Sequence, residues 1–462
     1  MVRVFNAYFP ARTLLLAASE LLLVFLALLA ALFMRFGNDA ELVLWYQSGF
    51  LKIGVVCAVC TASLYYWDLY DSVIISNPRE VLTRLVQVLG VVSLTLAFLY
   101  YIYPPMQLGR GILFIAITLL GIVLVASREL FFAFNRSAMF AERAILLGDG
   151  SLAKLLATEV KNRPELGIRI LGNVSAAINS SDENGLRRLG GVDELSAIIE
   201  SHQVKRIIVA MGDRRGTMPV RNLLDLRLSG VLIEDGARLM ERVSGKLDLD
   251  SMYPSWLIFS DGFRLNRGVL VMQRLIAIFG SLAVLCVSLP LFPFIILAIK
   301  LSSRGPVLYR QRRVGQDGRI FSCYKFRTMR PDAEADTGPT WASDNDPRIT
   351  SVGHFLRMTR LDEIPQLWNV LRGDMAFVGP RPERPEFDKW LKGEIPYYGL
   401  RHVVLPGLTG WAQINYGYGS SVEQAREKMK YDLYYIKNMS ISLDLLIIFQ
   451  TIKTVLFGKG AR

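Results

Sequence analysis

Four long apolar segments near the N-terminus constrain this chain more than any other feature of its sequence. They occupy residues 14–34, 50–67, 85–103 and 108–126. Each approaches the roughly 20 residues that a helix needs to cross the hydrocarbon core of a bilayer. The first is too long for a cleaved signal peptide, and Arg35-Phe36 follows it where small residues would mark a cleavage site. The sequence therefore predicts four N-terminal transmembrane helices.

The basic residues around these segments predict their orientation. Arginines precede the first segment, lie between the second and third, and follow the fourth. They are Arg3, Arg12, Arg79, Arg84, Arg128, Arg136 and Arg143. Because cytoplasmic loops carry the excess of Lys and Arg, we expect both the N-terminus and everything after residue 128 to lie in the cytoplasm.

The composition fits a membrane protein with large parts in water. Of 462 residues, 52% are hydrophobic and 20% are charged, and the formal net charge is +12. Such a charge suits an anionic membrane surface or phosphorylated substrates. Four cysteines and three histidines offer neither a disulfide framework nor a zinc cluster. A secreted protein, or one whose fold is held by a zinc site, is excluded. No nucleic-acid partner is expected.

Residues 140–262 have the pattern of a soluble α/β domain. Predicted strands lie near residues 143–147, 169–174, 206–210 and 231–234. Their alternation with helical stretches predicts a parallel sheet covered by helices. The turn Gly148-Asp149-Gly150-Ser151 is similar to the fingerprint of dinucleotide-binding domains, but the acid that would bind the ribose is missing. We therefore predict a structural or regulatory domain without nicotinamide.

A fifth apolar segment, residues 275–299, is predicted not to cross the membrane. Both flanks are strongly basic, and basic flanks belong on the cytoplasmic side. The flanking residues are Arg264, Arg267, Arg274, Lys300, Arg304, Arg310, Arg312 and Arg313. Pro290 and Pro293 interrupt the segment, and a proline inside a helix kinks it. A re-entrant helix hairpin at about 274–300 satisfies both constraints.

Residues after 300 are rich in side chains that suit phosphate groups. Lys325 and Arg327 lie two apart, so that in a strand both would point to one face. Farther on, Pro365 is tolerated only in the first turn of a helix. Asp362 and Glu363 should then lie at the N-terminus of that helix, where N–H groups and the helix dipole keep carboxylates ionised.

Two adjacent acids beside cations indicate chemistry in which one attacks or binds Mg²⁺ while the other moves a proton. Ordinary acidic capping of a helix is the alternative for this pair. Two loops follow. The first, Gly379-Pro380-Arg381-Pro382, is rigid and presents its arginine, and the second, residues 406–415, is rich in glycine.

Together these segments resemble the catalytic domain of the bacterial sugar transferases called monotopic phosphoglycosyl transferases. The similarity runs from about Gln273 to the C-terminus. The whole chain resembles the large form of the family, with a four-helix membrane domain (1–130), a Rossmann-like domain (140–262) and a monotopic catalytic domain (264–462). Segments 254–263, 431–437 and 457–460 resemble the branch associated with exopolysaccharide loci of PEP-CTERM bacteria.

In that family the membrane hairpin often breaks at a Ser-Pro pair, whereas here Leu289 separates Ser288 from Pro290. Many members also carry Arg before the proline of the second loop, where this chain has Leu405. The first departure concerns the break in the membrane helix and the second a substrate contact. Neither affects the acidic pair.

The resemblance implies a two-step reaction at the cytoplasmic face of the inner membrane. Asp362 would attack the β-phosphate of a UDP-sugar, release UMP and pass the sugar phosphate to polyprenyl phosphate. Mg²⁺ would bridge Asp362 and the diphosphate, and Glu363 would act as acid or base. The implied substrate-binding residues are Lys325, Arg327, Arg357, Gly379, Pro380, Arg381 and Pro382. A homodimer, exopolysaccharide synthesis, and glucose or galactose as the sugar are further implications.

Two other classes of function remain open from the residues alone. One is a membrane-bound nucleotide sensor without transfer activity, in which the acidic pair only caps a helix. The other is a nicotinamide-dependent epimerase fused to a membrane anchor. The missing ribose acid and the lack of a Tyr-x-x-x-Lys pair in the α/β domain disfavour the epimerase.

Overall fold

The structure is a computed structural model. It describes residues 1–71, 74, 78–107, 110–136, 141–175, 186–211, 218–249, 262–263, 266–331, 333, 346–417 and 421–456. The chain forms two compact units, one of residues 1–2 and 8–239 and the other of residues 3–7 and 240 onward. Residues 254–261 and 457–460, which carry part of the resemblance to the PEP-CTERM branch, lie outside the described residues.

The first part of the chain is built of apolar helices. Two short strands and five helices are β1 (Val2–Val4), β2 (Ala7–Phe9), α1 (Ala11–Phe36), α2 (Ala40–Tyr46), α3 (Gly49–Tyr66), α4 (Pro78–Ile102) and α5 (Arg110–Arg136). Within the described chain, five helical segments are long and apolar enough to cross a membrane. They are Ala11–Tyr46, Gly49–Tyr66, Arg79–Ile102, Gly111–Asn135 and Arg267–Ser302. The prediction of several membrane helices near the N-terminus is confirmed.

A buried ion pair links the first and last helices of this bundle. Arg128 of α5 lies with its Nε 2.7 Å from Oε1 of Glu20 in α1, and both side chains are almost completely buried. The hydroxyl of Tyr70 donates to Glu20 at 2.8 Å, and Arg128 donates to the carbonyl of Leu69 at 2.6 Å. Paired charges with these additional hydrogen bonds offset the cost of burial.

The α/β domain follows in the same unit. Its elements are β3 (Glu142–Leu147), α6 (Ser151–Asn162), β4 (Ile168–Val174), β5 (Arg188–Gly190), α7 (Leu195–His202), β6 (Arg206–Val209), α8 (Val220–Leu228), β7 (Leu232–Asp235) and α9 (Gly236–Ser244). All five strands are parallel, in the order β5-β4-β3-β6-β7. Residues 144–147 of β3 are fully buried, as expected for a central strand covered on both faces. The predicted parallel sheet is confirmed.

The second unit holds the remaining elements. They are α10 (Arg267–Ser288), α11 (Phe292–Ser302), β8 (Leu308–Val314), β9 (Ile320–Phe326), α12 (Ser351–Met358), α13 (Gln366–Arg372), β10 (Ala376–Val378), α14 (Pro385–Glu394), β11 (Gly407–Thr409), α15 (Trp411–Asn415), α16 (Val422–Asn438) and α17 (Ile441–Leu456). Strands β8 and β9 form an antiparallel hairpin. Strands β10 and β11 pair in parallel, which brings the two predicted loops together.

Helix α9 begins in the α/β domain, but its residues from Met240 onward, and the chain to Leu249, belong to the second unit. Lys437 of α16 places its Nζ 2.6 Å from a carboxylate oxygen of Glu241, and the indole of Trp411 donates to the carbonyl of Gly245 at 2.7 Å. The division at residues 239 and 240 therefore lies about twenty residues before the boundary at 262–264 that the sequence suggested. Long-range contacts of this kind leave no local signal in the sequence.

The fifth apolar segment consists of two helices, α10 and α11, joined by a 3₁₀ turn at Leu289–Leu291 that contains Pro290. Side chains on both sides of the turn contact the same unit. In α10, Arg274 donates to the carbonyls of Val370 and Leu371. In α11, the ring of Phe292 meets that of Phe326 edge-on, with centroids 5.5 Å apart.

Most other side chains of this segment are exposed. Phe279, Val287, Phe294 and Leu301 are each at least 68% exposed. Ser288, in contrast, is buried, and its hydroxyl donates to the carbonyl of Leu285 at 3.2 Å. Such a large bare apolar surface marks a site of contact with lipid or another apolar partner.

Candidate active site

The two predicted acids lie in a 3₁₀ turn, Leu361–Glu363, between α12 and α13. Arg360 precedes the turn with a φ of +58°, a left-handed conformation that reverses the direction of the chain. Pro365 then stands directly before the first residue of α13, where its missing N–H costs nothing. The acids are thus on the turn that leads into α13, close to where the proline predicts them.

Asn369 holds α13 against strand β9. Its side chain is fully buried, and its Oδ1 accepts a hydrogen bond from the backbone N–H of Tyr324 at 3.1 Å. Its Nδ2 donates to the carbonyl of Ser322 at 2.7 Å. These two bonds fix the helix to the strand and so place Lys325 of β9 opposite the acids.

Glu363 is surrounded by three cationic side chains. Its Oε1 lies 2.9 Å from Nζ of Lys325, 2.7 Å from Nη2 of Arg381 and 3.9 Å from Nη1 of Arg360. Burial acts against ionisation, but Arg381, Lys325 and Arg360 outweigh it and hold the pKa of Glu363 well below its usual range. Glu363 is therefore ionised, and it connects β9 to the loop that carries Arg381.

Asp362 has a different environment, although it is the adjacent residue. It is 6% exposed, and its Oδ1 has no hydrogen-bond partner among the residues that the structure describes. Burial raises the pKa of Asp362, and the charge of Glu363 adds to the rise, while Lys325 and Arg357 oppose it. Burial thus opposes the ionised form of Asp362 that the helix N-terminus was expected to favour, whereas the pKa of Glu363 is lowered as expected.

The other predicted cations have separate positions. Arg357 of α12 donates from Nε to the hydroxyl of Thr328 at 2.9 Å. Arg327 is buried beyond the end of β9 and donates to the carbonyls of Ser303 at 2.8 Å and Arg304 at 3.1 Å. Strand β9 ends at Phe326, so Arg327 lies just outside it, and its partners differ from the Glu363 carboxylate that Lys325 contacts. Its role as a phosphate ligand stays a prediction.

The two predicted loops cross each other at their glycines. A Cβ built on Gly379 would lie 2.5 Å from the carbonyl oxygen of Leu405, and one built on Gly407 would lie 2.1 Å from the backbone nitrogen of Gly379. A Cβ on Gly410 would lie 2.2 Å from the Gly379 oxygen. Only glycine permits this approach, since real Cβ atoms do not come so close to backbone atoms.

Arg401, which is buried, and Arg313, which is partly buried, fix the loop that carries Arg381. Arg313 donates to the carbonyl of Pro382 at 2.9 Å, and Arg401 donates to the carbonyl of Arg381 at 2.7 Å. Arg401 also pairs with Asp432 of α16 at 3.0 Å. The loop is therefore held from two sides, and its arginine is aimed at Glu363.

A cleft opens on the side of Arg360 and Arg381, the two arginines that lie next to Glu363, although neither acid lines it. Its polar lining includes Arg360, Arg381, Arg401, Gln413, Tyr416 and Lys428. Analysis of the sequence did not single out Arg360, Arg401, Tyr416 or Lys428 as site residues. Only their positions next to the predicted motifs could have pointed to two of them: Tyr416 directly follows the glycine-rich loop, and Arg360 precedes the acids. Two tyrosines, Tyr398 and Tyr416, and two carboxylates, Glu383 and Asp432, also line the cleft. Its cations and aromatic rings suit a ligand with phosphates and a base.

The residues present fit a divalent cation at Asp362. Its Oδ1 is buried and lacks a partner in the described chain, and Mg²⁺ is usually bound by one or two carboxylates together with substrate phosphates. No group of three His, Cys, Asp or Glu residues able to hold a metal occurs in the described ranges. Asp362 would therefore share the metal with substrate oxygens.

Comparison with known proteins agrees with this geometry. A family model described as bacterial sugar transferase matches residues 269–458, and one described as CoA-binding domain matches residues 65–226. An Escherichia coli (strain K12) protein, UDP-glucose:undecaprenyl-phosphate glucose-1-phosphate transferase, is 33% identical over 68% of this chain and 68% of its own length. The chain belongs to the bacterial sugar transferase family.

Two further relatives show which parts the family shares. An Aeromonas hydrophila protein named UDP-N-acetylgalactosamine-undecaprenyl-phosphate N-acetylgalactosaminephosphotransferase is 41% identical over 49% of this chain. The chain spans about half of its length, 52%. The exopolysaccharide production protein PSS of Rhizobium leguminosarum bv. phaseoli is 44% identical over 41% of this chain and 98% of its own length. This relative thus corresponds, over nearly its whole length, to less than half of this chain.

Proposed function

We propose that this protein transfers a sugar 1-phosphate from a UDP-sugar to polyprenyl (undecaprenyl) phosphate and releases UMP. The observation that carries the proposal is the contrast within the acidic pair. Asp362 has a buried oxygen without a partner in the described chain, whereas Glu363 binds Lys325 and Arg381. The relatives named for undecaprenyl-phosphate sugar transfer support the choice of acceptor.

In the first step Oδ1 of Asp362 attacks the β-phosphorus of the UDP-sugar. The bond from that phosphorus to the bridging oxygen breaks, and UMP leaves with the electron pair. The phosphosugar is then held on Asp362 as an acyl phosphate. In the second step an oxygen of polyprenyl phosphate attacks the same phosphorus, the aspartyl oxygen leaves, and polyprenyl-diphosphate-sugar is released. A covalent intermediate of this kind divides one transfer into two displacements.

The cleft accommodates the donor. Arg360 and Arg381 line the cleft and lie next to Glu363, so they neutralise the diphosphate as it meets Asp362. Mg²⁺, when bound, would add positive charge at the same oxygens. A carboxylate with a depressed pKa carries no proton to donate at neutral pH and is a weak base, so Glu363 serves as the anchor for Lys325 and Arg381.

We also propose that α10 and α11 form a re-entrant hairpin in the inner leaflet of the bacterial inner membrane. Both helices contact the same unit, through Arg274 and Phe292. The prolines of the turn and the basic flanks support the same arrangement. Arg327 then fixes the end of α11 at Ser303, close to where a lipid phosphate would arrive. The homodimer, the exopolysaccharide pathway, and glucose or galactose as the sugar stay expectations from the resemblance.

The test uses the full chain in lipid nanodiscs and UDP-sugars labelled in the sugar, without added polyprenyl phosphate. We expect wild type to retain label on the peptide that contains Asp362 and to release one UMP per labelled chain. Asp362→Asn should do neither. Glu363→Gln should label more slowly, because Lys325 and Arg381 lose the carboxylate that holds them beside Asp362.

Asp317→Asn is the matched control, because Asp317 is exposed and its φ of +53° is readily adopted by Asn. It should behave as wild type. Turnover of Asp362→Asn near the wild-type rate would refute the covalent mechanism. Absence of UMP release by wild type with every UDP-sugar would favour the nucleotide sensor.

A further inference from the structure

The α/β domain contains a crevice that the transfer reaction does not use. In the strand order β5-β4-β3-β6-β7, the chain leaves β3 toward one edge of the sheet and β6 toward the other. Ligands of such sheets bind outside the carboxyl ends of the strands at this reversal point. Here β3 ends at Leu147, and residues 148–150 lead directly into α6.

The loop at this point is shaped by two glycines with different surroundings. Gly148 has a φ of +123°, and a Cβ on it would lie 2.8 Å from the carbonyl oxygen of Ala210 at the end of β6. Gly148 therefore lets the loop pack directly on the neighbouring strand. Among the described residues, nothing lies within 4 Å of a Cβ built on Gly150, so the described chain leaves the space in front of α6 open.

Helix α6 begins at this open space without a side-chain cap. Gly150 is its N-cap residue, no side chain caps it, and its first turn contains no acid. The first N–H groups of a helix have no partner within the helix, and together with the dipole they form a binding site for phosphate. The helix has 12 residues.

Two buried polar side chains beside the loop provide an independent sign of a ligand. Asn173 is 5% exposed and Ser175 is 4% exposed, and neither Oδ1 of Asn173 nor Oγ of Ser175 has a hydrogen-bond partner within the described residues. Asn173 reaches the loop, since its Nδ2 lies 3.4 Å from the carbonyl oxygen of Gly148. The N–H of Gly148 in turn donates to the carbonyl of Val174 at 2.9 Å.

Unsatisfied buried polar atoms destabilise the fold, and a ligand that bonds to them removes this cost. We propose that this crevice binds a nucleoside diphosphate. The diphosphate lies on the N–H groups at the start of α6, and the ribose hydroxyls bond to Asn173 and Ser175 at the end of β4. Because the site lies wholly in the first unit, its failure would leave the transferase proposal intact.

Hydrogen exchange of the full chain in nanodiscs tests the proposal, with ADP in one arm and UDP in the other. The two arms distinguish an adenine nucleotide from the uridine nucleotides of the transfer reaction. We expect millimolar ADP, UDP or both to slow exchange in peptides that cover residues 148–153 and 173–175. UDP bound in the catalytic unit would instead protect other peptides. No protection of these peptides in either arm would overturn the proposal.

Gly150→Ala tests the position of the diphosphate. Gly150 has a φ of −69°, which alanine adopts without strain, and the new methyl group would point into the open space. We expect the affinity to fall at least about tenfold, which corresponds to about 1.4 kcal/mol. Ser175→Ala removes an unpartnered hydroxyl and should also weaken binding without loss of the fold.

Gly191→Ala is the matched control in the same domain. Its Cβ would also meet nothing within 4 Å, and its φ of −83° suits alanine. It should bind as wild type does. Protection that is unchanged in both Gly150→Ala and Ser175→Ala would show that the nucleotide binds elsewhere and would refute the assignment.

Discussion

At the scale of single residues, the acidic pair shows how neighbours in sequence acquire opposite properties. Three cations lie within 3.9 Å of one oxygen of Glu363, while Asp362 keeps an oxygen without a partner in the described chain. Spacing and the proline predict that both acids precede a helix, but no pattern tells which one receives the cations. That choice is made by Lys325 and Arg381, which come from other parts of the chain.

Asp444 of α17 gives a prediction at the same scale. It is buried, accepts from the hydroxyl of Tyr435 at 2.8 Å and from Nε2 of Gln273 at 2.6 Å. Burial raises the pKa of Asp444 to about 6. Because this pKa lies above the ordinary value of an aspartate, the group stabilises the fold most when protonated, and this contribution is lost as the pH rises from about 4 through 6.

We therefore expect the free energy of unfolding of Asp444→Asn to rise relative to that of wild type as the pH rises. The relative increase between pH 4 and pH 7 should reach up to roughly 3 kcal/mol. Thermal unfolding of the full chain at several pH values measures this difference. Asp225→Asn, at an exposed position, should show no such trend. A difference between Asp444→Asn and wild type that is constant with pH would contradict the prediction.

At the scale of elements, local patterns predicted more than contacts between distant segments. The parallel sheet follows from apolar strands that alternate with helices, because such strands are buried on both faces. The turn at Leu289–Leu291 lies where prolines interrupt the apolar run. The crossing of Gly379 with Gly407, and the bond of Arg327 to Ser303, join residues far apart in the chain. Neither has a local signature.

The crossing of the loops predicts the effect of a methyl group. Gly407→Ala would force a Cβ to within 2.1 Å of the Gly379 nitrogen, so we expect a loss of about 1–3 kcal/mol in stability and a strong decrease in UMP release. The physical reason is displacement of the loop that carries Arg381. Thermal unfolding and UMP release by the full chain are the measurements.

Gly393→Ala is the control for this substitution. A Cβ on Gly393, in helix α14, would meet nothing within 4 Å, and alanine is favoured over glycine in a helix by about 1 kcal/mol. The variant should be as stable as wild type or slightly more so. Equal behaviour of the two variants would show that the close approach at Gly407 has no consequence.

At the scale of the whole molecule, the division at residue 240 predicts which part performs the transfer. The Rhizobium relative corresponds over nearly its full length to 197 residues of this chain. We expect a truncated protein that begins at Met240 to release UMP. One that begins at Arg264 should be less stable, because it lacks the partners of Lys437 and Trp411.

Assays and thermal unfolding of both truncated proteins in nanodiscs check this expectation. Loss of all activity in a folded protein that begins at Met240 would mean that the first unit completes the active site. Equal stability of the two would mean that Glu241 and Gly245 contribute nothing to the second unit.

The orientation is testable on the same scale. If both helices of the hairpin enter from the cytoplasm, a cysteine introduced at the exposed Gly393 should resist a membrane-impermeant thiol reagent applied from the periplasm. A cysteine at the exposed Tyr46 should react. Strong labelling at Gly393 in sealed cells would mean that the fifth segment crosses the bilayer.

The bare apolar surface of α10 and α11 has a consequence for kinetics. If the proposed function and membrane hairpin are right, Phe279 and Phe294, both exposed, hold the enzyme at a fixed depth. It then meets the lipid acceptor by lateral diffusion within the leaflet, whereas the nucleotide donor diffuses through the aqueous volume. The rate of the second displacement then depends on the number of acceptor molecules per unit area of the leaflet and not on the volume of the cell. Diluting the bilayer with inert lipid should slow the second displacement, whereas diluting the surrounding water should leave it unchanged.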